Sequence, residues 1–155
     1  MLAHKRKNMS DFSDRTRHEV NKQLSFALYR AGNCLVRMHK PFLEPLGLTF
    51  PQYLVMLELL GSAPRSVGEL GTKLGMDTGT ITPLVKRLEQ AGFVTRRRDA
   101  KDERRVFVDL TRSGDALRKS VWAVQDQVNT VCQISDERAN DLREALDAVG
   151  RSGDG

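Results

Sequence analysis

Aromatic residues are scarce in this sequence, 6% of 155 positions, and long apolar runs are missing. The best candidate for a membrane span, residues 53–60, contains Glu58 and falls far short of the roughly 18 apolar residues a bilayer demands. The N-terminal stretch MLAHKRKNMSDFSDRTRHEV carries basic residues but no apolar centre, so it does not read as a secretory signal, and the cytoplasm is the expected location. Cysteine is also rare. Cys34 and Cys132 lie far apart, and neither they nor His4, His18 and His39 show metal-ligand spacing. Two partly buried thiols and no metal site are expected. A Walker loop, GxSxG and GxGxxG are all lacking, and acidic pairs such as Asp102–Glu103 and Asp136–Glu137 fall in a loop and at a helix start. No enzyme and no cofactor is expected.

What is present is charge, unevenly spread. The formal net charge is +5, and residues 86–105 alone hold eight basic residues against four acidic, so that segment carries nearly all of the excess. Residues 133–155 lean the other way, with six acidic residues against three arginines. Such concentration suits a phosphate-binding surface. The length allows one domain with a real core.

Along the chain, residues 1–16 read as a flexible polar tail and residues 17–150 as a single domain. A helix is expected over 19–42, where Leu24, Leu28, Leu35 and Met38 recur at near-helical spacing and Phe26, Ala27, Cys34 and Val36 widen the stripe. Pro41 and then Pro45-Leu-Gly47 should break it. Thr49 is placed to cap a helix over 52–60, with Tyr53, Leu54, Met56, Leu57 and Leu60 as its core, followed by a Gly61–Pro64 loop. Ser66 with Glu69 forms a capping box for a short helix that Gly75 closes. The next helix runs over 77–90, with Ile81, Leu84, Val85 and Leu88 as its buried stripe and Gly92 as its stop. Pro83 leaves its start uncertain by a turn. Two short strands, 93–97 and 106–110, flank the hairpin RRRDAKDERR. Helices from Thr111 to about residue 131 and over 136–149 complete a mainly α fold with a small β-wing.

Helix, turn, helix and a basic wing in this order describe a winged helix-turn-helix. An ordinary core helix explains Ile81 and Leu88 but not the outward Thr78, Thr80 and Thr82, which are poor helix formers and good donors to phosphates and base edges. Lys86 and Arg87 can flank a DNA backbone, or be ordinary surface charges. In the hairpin, Arg96, Arg97 and Arg98 face Arg104 and Arg105, with Lys101 between them, a repulsive set unless an anion neutralises it. Asp102 lies close enough to Arg104 to orient its guanidinium for a narrow minor groove. Double-stranded DNA is the partner these features imply.

The runs NKQLSFALY, KPFLEPLGLTFPQYLVML, DTGTITPLVKRLEQAG and RRRDAKDERRVFVDLT, followed by Gly114, together resemble the MarR family of transcriptional regulators, in the branch of organic-hydroperoxide-responsive repressors. The resemblance implies a homodimer whose N- and C-terminal helices interlock, with residues 17–48 and 112–150 dimerising and 49–111 binding a pseudopalindromic operator. It places Arg104, supported by Asp102, in the minor groove, and Thr78, Thr80 and Thr82 near the major groove; Lys86, Arg87, Arg98, Lys101 and Arg105 are expected DNA contacts from their charge and position. In that branch a reactive cysteine stands where this chain has Ser25, and its partner tyrosines fall at Tyr29 and at His39. A serine hydroxyl forms no sulfenic acid, so that sensing chemistry is absent. Ser25 is either an engineered replacement or the mark of a relative that answers another effector, and the change at His39 favours the second. Ser25, Tyr29 and His39 then become candidate effector ligands, for an aromatic acid or an acyl-CoA thioester, or else they only satisfy buried polar groups. Thiol sensing through Cys34 or Cys132, and a ligand-independent architectural DNA-binding role, are the alternatives.

Overall fold

The computed structural model describes residues 19–151, so the expected tail, His4 and His18 lie outside the described residues. Two units are distinguished, Met1–Met38 and His39–Gly155. The first holds a 3-10 turn, Val20–Lys22, and most of helix α1, Leu24–Leu43. Gln23, in extended backbone, separates turn from helix, so α1 starts later than residue 19. No side chain of α1 before His39 is buried, and Leu24, Leu35 and Val36 are exposed. Of the apolar stripe, Phe26, Leu28, Cys34 and Met38 are half-buried and the rest is exposed.

The break expected at Pro41 does not occur, and α1 runs through it to Leu43. Pro41 sits exposed in the last turn, and the carbonyl deprived of a donor belongs to the exposed Arg37. The chain turns after a 3-10 segment, Glu44–Leu46, where Gly47 takes a left-handed φ of 69°.

Helix α2, Phe50–Ser62, outruns the expected 52–60 at both ends. At its start Gln52 Oε1 accepts the Thr49 backbone N–H at 2.8 Å, while Pro51 fills an early position that needs no donor. At its end Gly61 and Ser62 stay helical, and Pro64 forces Ala63 into extended backbone. Strand β1, Arg65–Ser66, leads into helix α3, Val67–Leu74, then helix α4, Thr78–Gln90. Strands β2, Val94–Arg98, and β3, Val106–Leu110, form the wing. Helices α5, Arg112–Ala116, α6, Arg118–Cys132, and α7, Asp136–Arg151, follow.

The antiparallel sheet has the order β1-β3-β2. Its wing register runs from Val94 opposite Leu110 to Arg98 opposite Val106, and β1 adds Arg65 opposite Val108. β1 is absent from the expected elements because two residues have no period to read. Helix α2 is the hub, in contact with α3, α4, α6 and β3. Its buried set therefore follows no single stripe: Val55 and Leu59 are fully buried, whereas Leu54 and Leu57, expected in the core, are half-buried. Ile81, Leu84, Val85 and Leu88 of α4 all face inward, with Val94 and Val108 of the wing also buried.

The single helix expected from Thr111 is split at Leu117 into α5 and α6. Arg118, the first residue of α6, donates to the Leu60 carbonyl near the end of α2 and to Asp115, and its guanidinium lies 5.0 Å from the Trp122 ring centre. Val121, Val124 and Val128 complete the core on α6. α7 is different. It has no buried residue, and Leu142, Leu146 and Val149 of its apolar face are exposed.

Candidate nucleic-acid interface

The helix-turn-helix is assembled by local hydrogen bonds. Ser66 and Glu69 cap α3 reciprocally: Glu69 Oε2 accepts the Ser66 N–H at 2.7 Å and Ser66 Oγ accepts the Glu69 N–H at 3.2 Å. The bond from the Ser66 backbone, then one from the Ser66 hydroxyl, hold the Glu69 carboxyl below its ordinary range, with smaller help from Arg105 and Arg65. Gly75, at φ 63°, ends α3, and the Met76 N–H donates to the Gly71 carbonyl at 2.8 Å. A β-carbon on Gly71 would come within 2.8 Å of the Met76 carbonyl oxygen, so the turn requires glycine there. Asp77 then caps α4 by accepting the Thr80 N–H at 2.8 Å, and the Thr80 hydroxyl first, then this backbone bond, hold its carboxyl below the usual range. The start of α4 is therefore settled at Thr78, and Pro83 lies inside an unbroken helix.

Thr78, Thr80, Lys86 and Arg87 are exposed and Thr82 is half-buried. At about 100° per residue the threonines sit on the shoulders of α4 rather than on its outermost line. That line, within about 30° of the direction opposite the buried stripe, consists of Gly79, Pro83, Lys86 and Gln90, all exposed.

The wing tip is built by aspartates. Asp99 accepts the Lys101 N–H at 2.9 Å, and the Asp99 N–H donates to the Arg105 carbonyl at 2.9 Å. Asp102 Oδ1 accepts the backbone N–H of Arg104 at 3.1 Å, and its carbonyl accepts that of Arg105 at 2.9 Å. Asp102 thus shapes the tip backbone, not the Arg104 guanidinium: a short acceptor reaches a nearby N–H before the end of a long side chain. Arg98, Lys101, Asp102, Arg104 and Arg105 are exposed, with the Arg105 guanidinium 5.1 Å from the Phe107 ring centre. Arg96 is not free for an anion, because its guanidinium meets Glu89 Oε2 at 2.6 and 2.8 Å.

Between α3, the start of α4 and the wing lies a groove of about 1330 Å³, lined among others by Arg65, Lys73, Thr78, Thr82, Arg104 and Arg105. The groove brings together Thr78 and Thr82 of α4 with Arg104 and Arg105 of the wing, whereas Thr80, Lys86, Arg87, Arg98 and Lys101 lie outside its lining. Arg65 and Lys73 belong to it as well, although no sequence signal marks them: Arg65 arrives through β1 pairing, and Lys73 through the turn between α3 and α4.

The three candidate effector residues divide between the units. Ser25 and Tyr29 are exposed on α1 in the first. His39 is buried in the second, its ring centre 4.7 Å from that of Phe50 and 5.6 Å from that of Tyr53. The Tyr53 hydroxyl has no hydrogen-bond partner among the described residues, and burial pushes its pKa up. Cys34 and Cys132 are half-buried, as expected.

A family model for the MarR family matches residues 46–105. The chain is also 35% identical, over 131 residues, to the organic hydroperoxide resistance transcriptional regulator of Bacillus subtilis (strain 168), covering 84% of this chain and 87% of that protein. This chain belongs to the MarR family. A second MarR-type relative, the HTH-type transcriptional regulator MgrA of Staphylococcus aureus, is 33% identical over 133 residues, 85% of this chain and 90% of its own length. Among solved structures, reduced AbfR bound to DNA superposes with a TM-score of 0.73 at 28% identity, covering 90% of this chain and 96% of that one. The MarR-family chain is therefore a transcriptional regulator with a winged-helix head, and not an enzyme.

Proposed function

We propose that this MarR-family regulator acts in the cytoplasm as a homodimeric, sequence-specific repressor that a small-molecule effector releases from a pseudopalindromic operator. The observation that carries this reading is the shared groove, with Thr78 and Thr82 of α4 on one side and the exposed Arg104 of the wing on the other. Major-groove contacts would come from Thr78, Thr80 and Thr82, with Lys86 and Arg87 flanking the DNA backbone, and wing contacts from Arg98, Lys101, Arg104 and Arg105, with Asp102 fixing the tip. Dimerisation is supported by α7, whose apolar face has no cover. Ser25, Tyr29 and His39 are proposed as effector ligands, the effector being an aromatic acid or an acyl-CoA thioester. Ser25 supports a non-oxidative signal, because an alcohol has no accessible sulfur oxidation ladder. Release follows if the effector binds better to the conformation with low DNA affinity.

Arg104→Ala tests the head. Operator affinity should fall, and the slope of log affinity against log salt should lessen by about one. Unchanged binding at two salt concentrations would remove the wing from the mechanism. Sequence preference in selection from a random duplex pool separates a repressor from an architectural protein. A thermal-shift screen of aromatic acids, acyl-CoA thioesters and hydroperoxides tests the effector class.

A further inference from the structure

Two residues on the outermost line of α4 have no evident reason in the fold. Glycine and proline are the two poorest helix formers, and Gly79 and Pro83 both lie within the helix, one turn apart. Gly79 has no positive φ, and a β-carbon there would meet only Asp77 Oδ1, at an ordinary 3.5 Å. Pro83 lies beyond the first turn, where its missing N–H is no longer harmless and its ring presses on residue 79. The pair is self-consistent, since glycine leaves room for the ring, but neither residue is buried or held by packing. An exposed proline at the centre of this face calls for a contact outside the chain.

We infer that Pro83 is a specificity-determining residue that packs on the C5-methyl group of a thymine in the major groove, with Gly79 allowing the helix to approach closely. The inference rests on the proposed sequence-specific DNA binding. The chemistry narrows the choice: a proline side chain has no donor or acceptor and cannot read a hydrogen-bonding edge. The thymine methyl is the apolar group that unmodified base pairs present in the major groove. Lys86 on the same line, and Thr82 on the shoulder, supply the polar contacts around it.

The test uses the full chain and a duplex that it selects from a synthetic random pool free of methylcytosine. Each thymine of that duplex is replaced in turn by deoxyuridine, which removes only the methyl. For the wild type, one position per half-site should lose about fourfold in affinity, the worth of one buried CH₂. Pro83→Ala should melt no lower than the wild type, bind the parent duplex more weakly, and bind the thymine and deoxyuridine duplexes equally. Wild-type binding that ignores every deoxyuridine overturns the inference while leaving the head intact, as does a Pro83→Ala variant that keeps the thymine preference. A pool that yields no consensus overturns the sequence-specific reading and this inference with it.

Discussion

Gly114 joins the wing to the helices behind it. A β-carbon at this position would lie 2.0 Å from the Phe93 carbonyl oxygen and 2.9 Å from its carbon. That carbonyl also accepts the Thr111 N–H at 3.0 Å, and Thr111 Oγ1 donates to the Gly92 carbonyl at 2.6 Å while accepting the Gly114 N–H at 3.0 Å. Backbone, not a flexible side chain, would have to move. Gly114→Ala should therefore destabilise the fold by about 1–3 kcal/mol, the usual cost of overpacking. Denaturant unfolding measures it, and an unchanged midpoint would mean that this junction relaxes freely.

At the scale of elements, the Glu89–Arg96 pair links the last turn of α4 to β2. Its side chains are 35% and 30% exposed, so it contributes at most about 1 kcal/mol to stability. Its consequence for binding is the orientation of the wing relative to α4. Glu89→Gln removes a negative charge near DNA, and simple electrostatics would raise affinity. Loss of the link should instead lower it by up to about fivefold, the equivalent of that energy. A titration of labelled duplex at constant salt decides between the two signs. Tighter binding would show that Arg96 works better released than paired.

At the scale of the molecule, α7 is a helix of 16 residues with no buried side chain. Helices of about this length are marginal alone in water and draw most of their stability from covering an apolar face. Leu142 and Leu146, 51% and 40% exposed, are the natural points at which to break the proposed dimer. Leu142→Asp combined with Leu146→Asp should yield a monomer in sedimentation and weaken binding to a two-half-site duplex by on the order of 100-fold, through lost bivalency. A double variant that remains dimeric would place the interface elsewhere.

What the sequence determined by itself was whatever depends on neighbours a few residues apart. The caps at Thr49 and Ser66, the stops at Gly75 and Gly92, and the buried stripe of α4 are of this kind, because their hydrogen bonds and periodicity close within a turn or two. The basic wing was legible from charge alone. Proline misled at Pro41 and blurred Pro83, since a local penalty does not say whether the surrounding helix can bear it. Only the tertiary structure decided which arginine of the wing is neutralised, that Asp102 holds backbone, and that Arg65 and Lys73 line the groove. It also decided that Val55 and Leu59 are core and that Gly114 must lack a side chain. Each of these turns on a partner distant in the chain or on the direction of a side chain within a folded surface, and neither leaves a period in the sequence.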